Sequence, residues 1–244
     1  LPINGKPGLE YILDECIEAG IKEVIFIISK KKMMIKKYFY NDKFYKDIIK
    51  KKGDPKIIKE YKKILKYKKM IKFVFQDKPL GTGDAVYKTK KFITDKYFLM
   101  LLPDDLIIKK NCSKSMIMVH KKFKTSVMAS MKVNKSDVSR WGIYNIKKKI
   151  DKNNFIINNV IEKPSIKTSP SNNAVIGRYI LPKTIFSKLK SLKPGKSGEF
   201  HITDAIQALI EDDHQFIGHN FSGKYLDCGT MNGYIKSTLE ISKQ

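Results

Sequence analysis

Helical patterns alternate with short apolar runs through the first 133 residues, and this alternation limits the folds that the chain can adopt. Residues 9–17 carry apolar side chains at helical spacing, with Gly20 placed to end the helix. The β-branched run at residues 24–28 predicts a buried parallel strand. Further strands are predicted at 71–75, 97–102 and 125–133. This order is typical of an α/β protein with a doubly wound sheet.

The segments between these strands are predicted to be helical. The helices are expected at 31–40, at 83–92 and in a stretch that ends at residue 122, which Asn111 or Ser113 could cap. Residues 41–67 are polar and basic, and we expect a helical insertion on the surface.

The pattern changes after residue 133. Strands are predicted at 142–146 and 155–161, joined by a polar turn at 147–154, with another strand at 174–181. Helices are then predicted at 182–189, 203–211 and 231–242. We therefore expect one domain, residues 1–244, with two halves at 1–133 and 134–244.

The first predicted element is a helix, although a doubly wound sheet normally opens with a strand and a phosphate-binding turn. We therefore expect the fold to lack its first strand within these 244 residues. A missing strand would leave unpaired main-chain groups and exposed apolar surface, so the chain is expected to aggregate or to open easily.

The net charge of +25 suggests nucleic acid as a partner, but the type of basic residue argues against it. Only Arg140 and Arg178 are arginines among 49 basic residues, whereas nucleic-acid readers rely on the arginine fork. The three cysteines are far apart, which favours reduced thiols in a cytoplasmic protein. No apolar run is long enough to predict a membrane span.

Two segments that follow predicted strands carry candidate binding groups. Residues 76–85 contain Gln76 and Gly81 before a predicted helix, and glycine there would let a ligand approach the backbone, although such turns are often only structural. Asp104 and Asp105 follow a buried strand, where carboxylates face the ligand crevice of an open α/β sheet and suit Mg²⁺. The alternative is a turn with a helix-capping aspartate.

Two later segments add charged candidates. Glu162 and Lys163 stand where a strand ends, and they could hold sugar hydroxyls and a phosphate, or form only a surface ion pair. Asp227 lies in a tight turn before the last helix, where it could serve only as a cap. The four histidines lack metal-ligand spacing, and no serine or cysteine lies in a nucleophile elbow. Covalent catalysis therefore has no candidate residue.

Taken together and in order, these segments resemble the bacterial UTP–glucose-1-phosphate uridylyltransferase family. The matching segments are residues 1–7, 15–21, 76–85, 102–105, 140–142, 162–164, 176–179, 203–206 and 227–229. Each motif is weak alone, but their order and spacing over nearly the whole chain are specific. The segments at 177–179 and 227–229 favour the uridylyl branch over thymidylyl and adenylyl relatives.

The resemblance implies an α/β, doubly wound mixed sheet of the nucleotide-diphospho-sugar transferase type, which is Rossmann-like. It implies UTP and glucose 1-phosphate as substrates, Mg²⁺ as cofactor, and a cytoplasmic homodimer or homotetramer. The half at 1–133 would bind nucleotide, and the half at 134–244 would bind sugar.

The resemblance also implies roles for individual residues. The implied roles are uracil binding by Gln76 and Gly81, metal binding by Asp104 and Asp227, glucose binding by Gly142 and Glu162, and contact with the sugar phosphate by Lys163. Asp104 and Lys163 would be the catalytic residues. Arg178 receives no role.

Two departures from the family pattern affect these expectations. The family's glycine-rich loop and a nearby lysine precede Leu1, so weak nucleotide binding and poor turnover are expected of this chain. Gly81-Thr82-Gly83-Asp84 replaces the commoner Gly-Leu-Gly-His, which leaves the base preference open. The alternatives are a nucleotidyltransferase for another base or sugar, and a non-catalytic binding protein.

Overall fold

The computed structural model describes residues 2–195 and 198–243, which form two compact units. The first unit contains the described residues of Leu1–Gly20, Ile93–Leu192 and Thr203–Gln244, and the second contains those of Ile21–Phe92 and Lys193–Ile202. Leu1, where the first matched motif begins, lies outside the described residues.

The helices and strands of the described residues follow one another along the chain. In order they are β1 (Pro2–Ile3), β2 (Lys6–Pro7), α1 (Gly8–Glu18), β3 (Val24–Ile28), α2 (Met33–Tyr40), α3 (Asp42–Lys52), α4 (Pro55–Met70), β4 (Ile71–Phe75), α5 (Thr82–Tyr87), β5 (Tyr97–Leu101), β6 (Asp105–Ile108), α6 (Cys112–Phe123), β7 (Ser126–Lys132), β8 (Gly142–Lys149), β9 (Asn154–Glu162), β10 (Asn173–Pro182), α7 (Ile185–Ser191), α8 (Ile202–Glu211), β11 (Phe216–Asn220), β12 (Lys224–Asp227) and α9 (Met231–Ile241). Short 3₁₀ helices at Lys30–Lys32 and Lys135–Arg140 complete the described helical segments.

The first unit is built on a six-stranded mixed sheet in the order β5-β10-β7-β11-β9-β8. The β7–β11 pair is parallel, whereas β10 is antiparallel to both β5 and β7. Helix α6 packs on this sheet, where Met116 joins a buried cluster with Val127, Ala129 and Ile217. The mixed α/β sheet that the sequence predicts is confirmed.

A separate two-stranded ribbon brings the acidic segments of the first unit together. Strands β6 and β12 are antiparallel, and their register pairs Asp105 with Asp227. Neither strand is predicted from the sequence, because each has four residues and few alternating apolar side chains.

The second unit contains β3 and β4, which pair in parallel from Val24 and Ile71 onward. The parallel strand predicted at 24–28 is therefore confirmed, but its full burial is not, because only Ile28 is buried. Within the described residues β3 has one strand neighbour, so its side chains are covered less than those of a central strand.

Helix ends follow the local chemistry of the sequence. Asn111 caps α6 by accepting a hydrogen bond from the Lys114 amide at 2.8 Å, so the cap is Asn111 and not Ser113. Gly20 follows α1 with a φ of 83°, which places it in the left-handed region that favours glycine. The insertion predicted at 41–67 forms α3 and α4, whereas the helix predicted at 83–92 ends at Tyr87.

No helix in residues 2–195 and 198–243 combines the length and the apolar character that a membrane span requires.

Candidate active site

Asp104 and Asp227 face one glycine in the first unit. The Cys228 amide donates to the Asp104 carbonyl at 2.8 Å, which holds the turn after β12 against the turn after β5. A Cβ at Gly229 would lie 3.0 Å from Asp104 Oδ2 and 3.4 Å from Asp227 Oδ1. The two carboxylates predicted as metal ligands are therefore brought together next to Gly229.

The Asp227 carboxylate is oriented by its own turn. Its Oδ1 accepts from the Gly229 amide at 2.8 Å, and its Oδ2 accepts from Thr230 Oγ1 at 3.1 Å. The cap of α9 is Thr230, whose hydroxyl accepts from the Gly233 amide at 3.1 Å. The capping role that the sequence left open for Asp227 therefore belongs to Thr230.

The donor set at Gly229 fits Mg²⁺. This ion takes oxygen ligands and is commonly bound by one or two carboxylates together with substrate phosphates and water. In the described part of the chain, no group of three or more His, Cys, Asp and Glu side chains is placed to hold a metal ion. A site built on Asp104 and Asp227 would therefore take its remaining oxygen ligands from substrate phosphates and water.

Asp105 is engaged in the structure and turns away from Asp104. Its Oδ2 accepts from the Gly177 amide at 2.7 Å, and its Oδ1 accepts from the Tyr225 hydroxyl at 2.6 Å. Burial raises the pKa of the Asp105 carboxyl, while these two hydrogen bonds act to lower it. Asp104 therefore remains the candidate ligand of the two.

The three sugar-site candidates also lie together in the first unit. Gly142 and Glu162 are register partners in β8 and β9, and a Cβ at Gly142 would lie 3.0 Å from Glu162 Oε2. The Lys163 amide donates to the Trp141 carbonyl at 3.0 Å. Lys163 Nζ lies 4.0 Å from Glu162 Oε1, and the two side chains are 65% and 71% exposed. An ion pair this long and exposed stabilises little, so both groups remain available to a ligand.

Glu162 lines a cavity of about 350 Å³ that has both polar and apolar walls. Thr203, Asp204 and Gln207 of α8 contribute polar groups on one side, and Asn159 of β9 contributes another. Asn159 Oδ1 is buried without a hydrogen-bond partner in the described residues. Because this oxygen is buried, the polar groups that the cavity offers to a ligand are Glu162 and those of α8.

Tyr179 is a buried tyrosine whose pKa responds to Asp104 and to Glu162, one acid from each candidate site. Burial raises the pKa of the Tyr179 phenol, and the charges of Asp105, Glu162 and Asp104 raise it further. Trp141 packs edge-on against Tyr225 with ring centroids 5.4 Å apart. The acidic groups of both candidate sites therefore act on one buried region of the first unit.

The base-binding candidates belong to the second unit. Gln76 Nε2 donates to the Gly81 carbonyl at 3.1 Å and to Asp84 Oδ2 at 2.8 Å. Gly81 has a φ of 96°, and a Cβ there would lie 2.5 Å from the Phe200 carbonyl oxygen, so only glycine fits. The amide orientation assigned from these bonds directs Gln76 Oε1 away from Asp84, where it can accept from a ligand.

The sequence did not reveal the partners of Arg178. This side chain is fully buried and pairs with Glu15, with 2.8 Å between Arg178 Nη2 and Glu15 Oε2. The available signal was the rarity of arginine, since only Arg140 and Arg178 stand among 49 basic residues. An arginine offers a planar fork of donors that lysine does not.

Comparison with known proteins agrees with this geometry. The whole chain, residues 1–244, matches the family model described as nucleotidyl transferase. The UTP–glucose-1-phosphate uridylyltransferase of Bacillus subtilis (strain 168) is 33% identical over 245 residues, which cover 100% of this chain and 83% of that protein. The UTP–glucose-1-phosphate uridylyltransferase 2 of Staphylococcus saprophyticus is 33% identical over 243 residues, covering 99% and 83%.

A solved structure shares the fold over the full chain. The crystal structure of a UDP-glucose pyrophosphorylase complexed with UDP-glucose matches with a TM-score of 0.85 and 31% identity, covering 100% of this chain and 89% of the other. The mixed α/β fold is therefore that of a nucleotidyltransferase.

Proposed function

Because the chain belongs to the nucleotidyl transferase family, we propose that it joins UTP to glucose 1-phosphate, forming UDP-glucose and pyrophosphate. One structural observation carries this proposal: the carboxylates of Asp104 and Asp227 both lie next to Gly229. It is supported by the names of full-length relatives and by the similarity to a structure that holds UDP-glucose.

The proposed reaction needs no base and no covalent intermediate. A phosphate oxygen of glucose 1-phosphate attacks the α-phosphorus of UTP, and the bond from that phosphorus to the bridging oxygen breaks to release pyrophosphate. Catalysis then consists of positioning two anionic substrates and offsetting their charge. This requirement agrees with a chain that lacks a nucleophile elbow.

The proposed metal site is formed by Asp104 and Asp227. Mg²⁺ bound there would offset the negative charge of the phosphate oxygens around the α-phosphorus. The protein's own contribution is to hold the two carboxylates at a fixed spacing, through the Cys228–Asp104 main-chain bond and the turn around Asp227.

The sugar is proposed to bind at Gly142 and Glu162. Gly142 lies directly beside Glu162 Oε2, and the Glu162 carboxylate can accept from sugar hydroxyls. Lys163 places an ammonium group next in the chain, where it can bind the sugar phosphate. The cavity beside Glu162 is also lined by Asp204, which offers a further hydrogen-bond acceptor to a polyhydroxyl ligand.

The base is proposed to bind at Gln76 and Gly81. Uracil carries a hydrogen-bond donor at N3, and Gln76 Oε1 is free to accept it because Nε2 is held by Asp84 and Gly81. Cytosine has an acceptor at N3, so it would meet Gln76 Oε1 unfavourably. Thymine presents the same N3 donor as uracil, and Gln76 alone does not separate those two bases.

The two halves of the chain receive the corresponding roles in this proposal. Residues 1–133 would bind nucleotide and residues 134–244 would bind sugar. We further propose that the protein is cytoplasmic. We also propose that it is a homodimer or homotetramer, which sedimentation of the purified chain would test.

Product formation from a panel of nucleotides tests the function. UTP and glucose 1-phosphate with Mg²⁺ should give UDP-glucose and an equal amount of pyrophosphate over long incubations, ahead of CTP, ATP or GTP. Glu162→Gln should raise the KM for glucose 1-phosphate, whereas Glu60→Gln, at an exposed position on α4, should not. Formation of a different nucleotide sugar as the main product would assign another base, and binding without any product would favour a non-catalytic protein.

A further inference from the structure

We infer that the buried pair of Glu15 and Arg178 positions the Asp104 carboxylate, an inference that rests on the proposed metal role of Asp104. The Arg178 side chain is 0% exposed and that of Glu15 is 6% exposed. Neither group can reach a substrate, so the pair acts through the main chain that it contacts.

The guanidinium of Arg178 holds both ends of the turn that carries Asp104. Nη1 donates to the Leu102 carbonyl at 3.1 Å, and Nη2 donates to the Asp105 carbonyl at 2.7 Å. Leu102 and Asp105 flank Pro103 and Asp104 in the chain. One rigid planar group therefore fixes the span of this four-residue turn and limits where the Asp104 carboxylate can lie.

Hydrogen bonds to the Glu15 carboxylate hold the Arg178 guanidinium in place. Arg178 Nε lies 3.1 Å from Glu15 Oε1, and Arg178 Nη2 lies 2.8 Å from Glu15 Oε2. Glu15 Oε1 also accepts from the Ser113 amide at 3.1 Å and from Ser113 Oγ at 2.5 Å, which ties it to the start of α6. The turn that carries Asp104 is thus held against α1 and α6.

The geometry of these bonds requires arginine. The donors point in three directions, toward the carboxylate of Glu15 and the carbonyls of Leu102 and Asp105. A lysine ammonium presents its donors from one atom and cannot span these acceptors. Charge neutrality alone would be met by lysine, so Arg178→Lys separates the pairing of charges from the bracing of the turn.

The pair is also a poor device for stability alone. Burying two charges is costly, and replacing both members of such a pair with well-packed apolar side chains of similar volume often leaves stability unchanged. Glu15→Gln/Arg178→Met removes both charges and the donors to the turn, while the introduced glutamine amide oxygen can still accept from Ser113. A merely structural role predicts unchanged metal binding in this double variant.

The test is a titration of the purified chain with Mn²⁺ in the presence of UDP-glucose, whose phosphates can complete the site, followed by water proton relaxation, beside a thermal melt of each variant. Wild type should bind Mn²⁺, and Asp104→Asn should lose that binding. Arg178→Lys and Glu15→Gln/Arg178→Met should each weaken Mn²⁺ binding by about tenfold, the lower end of what changes behind metal ligands usually cause. Thr125→Val is the matched control, since it removes a side-chain hydrogen bond of the first unit, to the Gln215 carbonyl, that involves neither Glu15 nor the turn, and its Mn²⁺ affinity should equal that of wild type.

A second readout does not need the metal. The Cys228 amide donates to the Asp104 carbonyl, so its hydrogen exchange reports on the turn. Exchange should be faster in Arg178→Lys than in wild type and in Thr125→Val.

Wild-type Mn²⁺ affinity and wild-type Cys228 exchange in both Arg178 variants would overturn the inference and leave the metal role of Asp104 intact. Mn²⁺ binding that survives in Asp104→Asn would instead refute the proposed metal site, and the positioning role would fall with it.

Discussion

The spacing of the acidic groups at the candidate site depends on single glycines. Gly229 lies against the carboxylates of Asp104 and Asp227, and Gly142 lies against that of Glu162. Gly177 lies so close to Asp105 and Leu102 that a Cβ there would be 2.6 Å from each side chain. These positions are occupied by glycine because a neighbouring side chain fills the space that a Cβ would need.

Gly229→Ala should weaken binding of Mn²⁺ while the fold is retained. The added methyl group would lie 3.0 Å from Asp104 Oδ2, so it would displace that oxygen or occupy the space for the ion. We expect a loss of affinity of about tenfold, measured by Mn²⁺ titration. Gly195→Ala is the control, since its Cβ would meet nothing closer than 3.5 Å, and an unchanged affinity in Gly229→Ala would contradict the prediction.

Asp84→Ala should reduce the preference for UTP over CTP. Asp84 Oδ2 accepts from Gln76 Nε2 at 2.8 Å, and without it the Gln76 amide can turn and present a donor to the base. We expect the ratio of the two nucleotide affinities to fall by about tenfold, the equivalent of one hydrogen bond, in a competition titration. Lys88→Ala is the control, because Lys88 contacts Asp84 at 3.5 Å but not Gln76, and equal ratios in both variants would refute this role.

Part of this site follows from the sequence alone, because strand ends and glycine turns are local signals. Asp104 and Gly81 are proposed as site residues in this way. The partners of Arg178 are not, since Glu15 is 163 positions away and no local pattern specifies that contact. The acceptor that orients Gln76 is likewise visible only once the turn is folded.

At the scale of elements, long periodic segments are predicted well and short ones are not. Helix α1 and strands β4, β7 and β10 agree with the sequence pattern within a few residues. Strand β11 is missed because Gly218, His219 and Asn220 disfavour a strand in isolation. Tertiary packing decides this case, since a Cβ at Gly218 would lie 2.2 Å from the ring of Phe155.

The region of β11 should make stability depend on pH. Burial lowers the pKa of His219, on β11, and of His214, just before it, below the ordinary value of 6.5. The unfolded chain then binds more protons than the folded chain below about pH 6.5, so stability is present above that pH and is lost as the pH falls. Each histidine can contribute at most about 1.4 kcal/mol per pH unit to the free energy of unfolding.

Urea unfolding at about pH 7.5 and about pH 5.5 measures this effect. The free energy of unfolding should fall on acidification in wild type and fall less in His214→Gln/His219→Gln. The control is His120→Gln. His120 lies on α6 and is hydrogen-bonded to the Thr125 carbonyl, and this variant should lose as much free energy of unfolding on acidification as wild type. An equal loss in wild type and in the double variant would assign the pH dependence to other groups.

At the scale of the whole molecule, the two units differ in how completely their strands are paired. Strand β7 has neighbours on both edges, and Val127, Met128 and Ala129 are fully buried. Strand β3 pairs only with β4 among the described residues and buries only Ile28. Local opening costs less where fewer bonds and contacts must be broken.

Hydrogen exchange should therefore be faster in β3 than in β7. Peptides from each strand, followed by mass spectrometry under native conditions, give the comparison. Helix α6, which packs on the six-stranded sheet, serves as the internal control and should exchange slowly with β7. Equal protection of β3 and β7 would contradict the difference between the units.

The most direct test of the central claim is the effect of Mg²⁺ on binding of UDP-glucose, measured by calorimetry in wild type and in Asp104→Asn. If Asp104 and Asp227 form the metal site, Mg²⁺ should tighten UDP-glucose binding to wild type and have little effect on Asp104→Asn. The same gain with Mg²⁺ in both proteins, or no binding of UDP-glucose to wild type, would contradict the proposed site.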